Sequence, residues 1–152
     1  MERREILLNQ LNETIAQFLE VYRNLANPEI AISEAWTAKD ILGHVVFWHE
    51  SFARNLRDLV NEIKPTPLKG KYSDLNQLCL NEMRTKTIEE LMKRLETAHS
   101  VVQENILNPK LGLIPYKKGS RDYTPDEHLA LVNDHIREHL RSVQKASQAV
   151  DS

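Results

Sequence analysis

Two histidines, His135 and His139, stand four residues apart near the end of the chain, and a third, His44, stands far upstream. On an α-helix a spacing of four places two side chains on one face. Two imidazoles so placed can grip one divalent ion. A third from a facing helix completes a three-histidine site with a position left open. Such a site can do chemistry, because the ion makes a water or thiol held beside it more acidic.

The helices that must carry these residues constrain them further. At ~100° per residue, His128, His135 and His139 fall within ~40° of one another. Val132 and Ala146 share or border that stripe, so the histidines lie on the buried face or at its edge. A buried imidazole needs partners for its nitrogens, and either a metal or ordinary hydrogen bonds can supply them. The upstream helix offers both His44 and His49. Periodicity alone places His49 nearer the centre of the apolar seam and His44 at its flank. His49 and His128 are also candidates for proton transfer beside a site.

With 152 residues, the expectation is one domain over 1–152, long enough to bury a core without staples. Lys plus Arg is 20 and Asp plus Glu 22, a net charge of −2 that does not point to nucleic acid. The single cysteine, Cys79, excludes an intramolecular disulfide and fits a reducing compartment. Charges at Glu2, Arg3, Arg4 and Glu5 stand where a signal peptide needs an apolar core. No apolar run approaches the ~20 residues of a membrane span. The expected location is therefore cytoplasmic, with no membrane partner.

Only four glycines and six prolines occur, which favours long helices over a sheet with many turns. Leu8, Leu11, Ile15, Phe18, Tyr22 and Leu25 step by three and four, predicting a first helix over 2–25, ended by Asn27-Pro28. Thr37 and Asp40 resemble a capping box. The helix they open is predicted to run to Ile63, with Ile41, Val45, Trp48, Phe52, Leu56 and Leu59 inward. Pro65, Pro67 and Gly70 interrupt the chain. Ser73 can cap a shorter helix bearing Leu75, Leu78, Cys79 and Met83.

Thr87 and Glu90 form a second capping box, opening a helix with Ile88, Leu91, Leu95, Ala98, Val102 and Ile106 that stops at Pro109. Residues 110–123 show no clear period. A loop of that length is either a binding loop or a surface excursion packed on the core. Thr124, Pro125 and Glu127 form a strong helix start, and the last helix is predicted to reach Ala149. The resulting fold class is all-α, a four-helix bundle with an extra short helix between the second and third.

Other constellations carry less chemistry. Cys79 shares an apolar face with Leu75, Leu78 and Met83 and reads as a structural thiol. Lys110, Lys117, Lys118 and Arg121 make the long loop basic, either as solvated charges or as a lure for an anionic substrate. Trp36, Trp48 and Tyr123 read as core or cap residues, with ligand stacking as the sharper alternative. There is no Gly-rich phosphate loop and no Ser-His-Asp arrangement.

The run Trp36, Thr37, Asp40, Ile41, Leu42, Gly43, His44 resembles the second-helix signature of the DinB/YfiT-like superfamily of helical bundles. His135 and His139 fall where that family places its second and third metal ligands. The resemblance implies a four-helix bundle with His44, His135 and His139 as ligands. It therefore chooses His44 where periodicity favours His49. Asp74 to Asn76, Glu82 to Leu91, and Trp48-His49-Glu50 are similar to the ClbS/DfsB branch of that superfamily.

Three functions are compatible with this sequence. The first is a metal-dependent transferase or hydrolase acting on a small molecule, holding Zn²⁺, Ni²⁺ or another divalent ion. The resemblance adds a low-molecular-weight thiol as a cofactor. The second is a ClbS-like resistance or self-protection protein. It binds or hydrolyses a reactive small molecule without metal, in a pocket lined by Trp48, Tyr116 and Tyr123. The third is a non-catalytic bundle with structural histidines. A homodimer is expected under any of them.

Overall fold

The computed structural model describes residues 2–151. Five helices make up the fold: α1 (Glu2–Arg23), α2 (Ala38–Val60), α3 (Tyr72–Met83), α4 (Ile88–Asn105) and α5 (Pro125–Asp151). Among the described residues there are only isolated β-bridges and no strands. The four long helices α1, α2, α4 and α5 form the bundle, and α3 lies against α2 as the extra short helix.

The predicted caps form as reciprocal boxes. Thr37 accepts from the Asp40 amide while Asp40 accepts from the Thr37 amide, and Thr87 and Glu90 repeat the exchange. Thr124 and Glu127 do the same at the start of α5, at 3.2 and 2.9 Å. Ser73 does not cap α3. The cap position is Lys71, which makes no side-chain cap bond. Leu78 is a second correction: it is 56% exposed, while Leu75, Cys79, Leu80 and Met83 face inward. A short helix lying on one neighbour buries a narrow stripe, and Leu78 falls outside it.

Helix ends differ by a turn or less from the pattern. α1 ends at Arg23, and α2 ends at Val60 because Glu62 adopts φ 59°. The Ile63 amide then donates back to the Asp58 carbonyl at 2.8 Å and the Glu62 amide to Leu59 at 3.2 Å. This is a Schellman termination with glutamate where glycine is usual.

Contacts fix the helix directions. Arg4 at the start of α1 donates to the carbonyls of Ile106 and Asn108 beyond the end of α4, both at 3.2 Å. Arg4 also meets Asp126 at the start of α5, 3.7 Å away. Thus α1 runs parallel to α5 and antiparallel to α4. Tyr22 at the end of α1 donates to the Ala38 carbonyl at the start of α2. Asp40 near the start of α2 pairs with Arg84 just before α4, so α2 and α4 are parallel. A parallel pair cannot be joined by a tight turn. The chain between α2 and α4 must return along the bundle, and α3 is part of that return.

Packing is extensive within the α1–α5 and α2–α4 pairs and much sparser between α2 and α5. One core of leucine, isoleucine, valine and phenylalanine joins them, with Leu11, Phe18, Leu42, Leu56, Leu95 and Leu129 fully buried. The loop over 110–123 is anchored at the bundle end rather than free. Ile114 and Tyr123 exchange backbone bonds at 2.7 and 2.9 Å, and Lys118 donates to Leu68. The sparse α2–α5 seam, closed at one end by this loop, is where the histidines gather.

Candidate metal centre and adjoining cavity

His44 comes from the first half of α2, and His135 and His139 come from α5. Because α2 and α5 run in opposite directions, the early part of one faces the late part of the other. One nitrogen from each of the three imidazoles lies within 4.8 Å of the other two. Ring centroids are 5.0 Å apart for His44–His139, 5.2 Å for His135–His139 and 6.0 Å for His44–His135. Tetrahedral nitrogens at ~2.1 Å from an ion stand about 3.4 Å apart, so small ring movements complete the site. His44 is buried and His135 exposed, with His139 between, so the cluster opens toward solvent.

The donor set fits an ion. His44 Nδ1 and His139 Nε2 are buried polar atoms without hydrogen-bond partners among the described residues, a costly condition that calls for a ligand or ion beside these rings. Burial, then the neighbouring imidazoles His139 and His135, push His44 down to about 3. Burial chiefly lowers His139 to about 4. Both rings are therefore neutral near pH 7, the form that ligates.

Surrounding residues hold His44 in place. Trp36 packs on its ring at 4.8 Å between centroids. The Asn76 side chain of α3 interacts with the imidazole and opposes the lowering of its pKa. Gly43 allows α3 to come this close: a Cβ built there would lie 2.6 Å from Met83 Cβ. Cys79 donates to the Gly43 carbonyl at 3.5 Å, and burial pushes its thiol up to about 12, an inert structural group.

A cavity continues from the histidine cluster along the α2–α5 seam. Including its open mouth it holds about 520 Å³ of empty space, but only about 40 Å³ admits the centre of a water molecule. It is a narrow slot in this state. Trp48 and Tyr116 line it, stacked at 5.3 Å with their planes 9° apart. Tyr123 does not line it. That ring stands behind Tyr116 and His128, at 6.2 and 6.0 Å. Asn55 Nδ2 donates to the Pro115 carbonyl at 3.2 Å and ties the loop to α2.

His49 and His128 line the slot away from the three-histidine cluster. His128 stacks on Phe52 at 4.1 Å, is 1% exposed, and has no partner for either nitrogen. His49 Nε2 is bonded to His99 Nδ1 at 3.0 Å, and His99 Nε2 to Asn12 Oδ1 at 2.7 Å. His99 and Asn12 were not among the residues singled out from the sequence. The signal was present for His99, which stands four residues after Leu95 on the inward stripe of α4.

Two of the four basic loop residues, Lys117 and Arg121, find local partners. Lys117 donates to the Gly70 carbonyl at 2.8 Å and lies over the Tyr72 ring. Arg121 pairs with Glu127 at 3.0 Å and lies over Tyr123.

Comparison with known proteins agrees with this fold. The pattern of the DinB superfamily matches residues 10–143. Among solved structures, the mycothiol-dependent maleylpyruvate isomerase superposes with a TM-score of 0.74 at 13% identity, over 92% of this chain and 60% of that one. A mutant of the same isomerase gives 0.73. An uncharacterised protein from Clostridium difficile 630 gives 0.72 at 15% identity, covering 95% of both chains. This chain thus spans 60% of the isomerase's length. No curated protein sequence matches it significantly.

Proposed function

The chain belongs to the DinB superfamily, and on that premise we propose that it is a metal-dependent enzyme acting on a small molecule, with His44, His135 and His139 as the ligands. The observation that carries this reading is the convergence of one nitrogen from each ring within 4.8 Å. Zn²⁺ or Ni²⁺ suits a set of three imidazole ligands. When bound, such an ion supplies Lewis acidity, polarising a substrate carbonyl or making a thiol or water more acidic.

The chain's own residues supply the rest. α2 and α5 fix the three rings on opposed rigid helices, so the donor set needs little rearrangement. The slot beside them excludes bulk water and orients a substrate along the Trp48–Tyr116 wall. Burial pushes the Tyr116 phenol up to about 12, so it meets a substrate as a neutral hydrogen-bonding group.

The chemistry we assign is group transfer or isomerisation assisted by a low-molecular-weight thiol, with hydrolysis as the alternative at the same centre. Support for the thiol comes from the fold shared with a mycothiol-dependent isomerase. Within the superfamily we place the chain nearest the ClbS/DfsB branch. Glu50 and Glu82, two residues that carry that resemblance, converge on Arg94 at 2.6 and 3.1 Å.

The test is a screen of zinc- and nickel-loaded protein for thiol-dependent isomerisation or transfer and for hydrolysis. The His135→Ala/His139→Ala variant is expected to lose at least about 100-fold of any activity found. Activity that survives in that variant moves the function to the metal-free, ClbS-like use of the slot.

A further inference from the structure

The far arm of the cavity contains a chain of hydrogen bonds that determines its polarity. Asn12 Oδ1 faces two donors, Gln103 Nε2 at 3.0 Å and His99 Nε2 at 2.7 Å. An amide oxygen only accepts, so His99 carries its proton on Nε2. Its Nδ1 is then a lone pair, and the 3.0 Å contact with His49 requires the proton of His49 on Nε2. What remains on His49 is the Nδ1 lone pair. That atom is buried without a partner, on a ring 2% exposed that lines the slot. A half-buried asparagine on α1 thus sets, through α4, the tautomer of His49 on α2, whose ring lines the cavity.

We propose that this arm is a binding subsite for a neutral hydrogen-bond donor, an N–H or O–H group on a flat apolar body, received by His49 Nδ1. The choice of a neutral group follows from the lining. Among the described residues no carboxylate, lysine or arginine lines the slot, so a charged group in the arm beside His49 would lack a counter-ion. Burial, then the nearby imidazoles of His99 and His128, holds His49 neutral, so the lone pair persists at ordinary pH. The flat body follows from Phe52, Trp48 and Tyr116, whose faces and edges frame the slot, and from its narrowness. His128 can take either role with its two free nitrogens, so His49 decides the polarity. The subsite does not require the metal reading, because none of these groups belongs to the three-histidine cluster.

Pyrrole and furan are suitable probes. They have nearly the same size and shape, only pyrrole carries an N–H, and pyrrole has no free lone pair for a metal. In the full chain as purified, ring ¹⁵N spectra are expected to show His49 and His99 both protonated on Nε2. Pyrrole is expected to shift the His49 Nδ1 signal and to bind roughly tenfold more tightly than furan. His49→Phe is expected to abolish that preference. A His49 ring protonated on Nδ1, equal binding of the two probes, or no pyrrole binding at saturation would overturn the proposal. Each readout on the unsubstituted chain stands even where the variant fails to fold. Metal loading at His44, His135 and His139 is read separately, so loss of the metal reading is distinguishable.

Discussion

At the level of single residues, the choice between His44 and His49 shows what a helical wheel can and cannot do. Periodicity favours His49, and His49 is indeed the more deeply buried, at 2% against 8% exposure. But α2 is covered on several sides, by α3, α4 and α5, so most of Ala38 to Leu56 is buried. A wheel with one apolar seam cannot say which buried residue faces which neighbour. His49 faces His99 on α4, and His44 faces α5. The Trp36-to-His44 run carried that information because Trp36 and Gly43 build the surroundings of the ring. Asn76 completes those surroundings from α3. Asn76→Ala is expected to weaken zinc affinity about 10-fold with the fold intact, since removing a group that orients a ligand costs roughly that much. Competition with a chromophoric chelator measures it.

Among the elements, the threonine capping boxes at Thr37, Thr87 and Thr124 were legible because their chemistry lies within four residues of chain. The start of α3 was not, since no side chain caps it and its position is set by packing on α2. Gly43 controls that packing. Gly43→Ala is expected to destabilise the fold by about 1–3 kcal/mol, because the new methyl meets the Met83 side chain and α3 must shift. Urea unfolding gives the magnitude. The same shift draws Asn76 from His44, so metal affinity is expected to fall with stability. Asp40 also joins these elements. Burial acts to raise its carboxyl, but bonds from Arg84 and the Thr37 amide outweigh that and leave it below its usual value.

For the whole molecule, the bundle was legible and its directions were not. Four amphipathic stripes require four packed helices, yet a stripe does not name its partner. The parallel pairs α1–α5 and α2–α4 emerge only from long-range bonds such as those of Arg4 and Arg84. Burying so many imidazoles has a consequence for stability. Burial lowers His99 and His128 to about 4 and takes His49 well below 6.5. The unfolded chain therefore binds protons that the folded chain refuses. Stability is full above pH about 6.5 and falls as the pH drops toward 4, by up to about 3 kcal/mol each for His99 and His128, with His49 acting in the same direction. Thermal or urea unfolding across that range is expected to show the loss, and His128→Phe to reduce it.

The most direct test of the three-histidine centre is a cobalt(II) titration of the metal-free chain followed by visible absorption. A site built from His44, His135 and His139 gives saturation at one ion per chain with the intense bands of low-coordinate cobalt, and His44→Ala abolishes them while circular dichroism stays helical. Failure of the wild type to saturate at one equivalent, or an unchanged spectrum in folded His44→Ala, would contradict a metal centre at these residues.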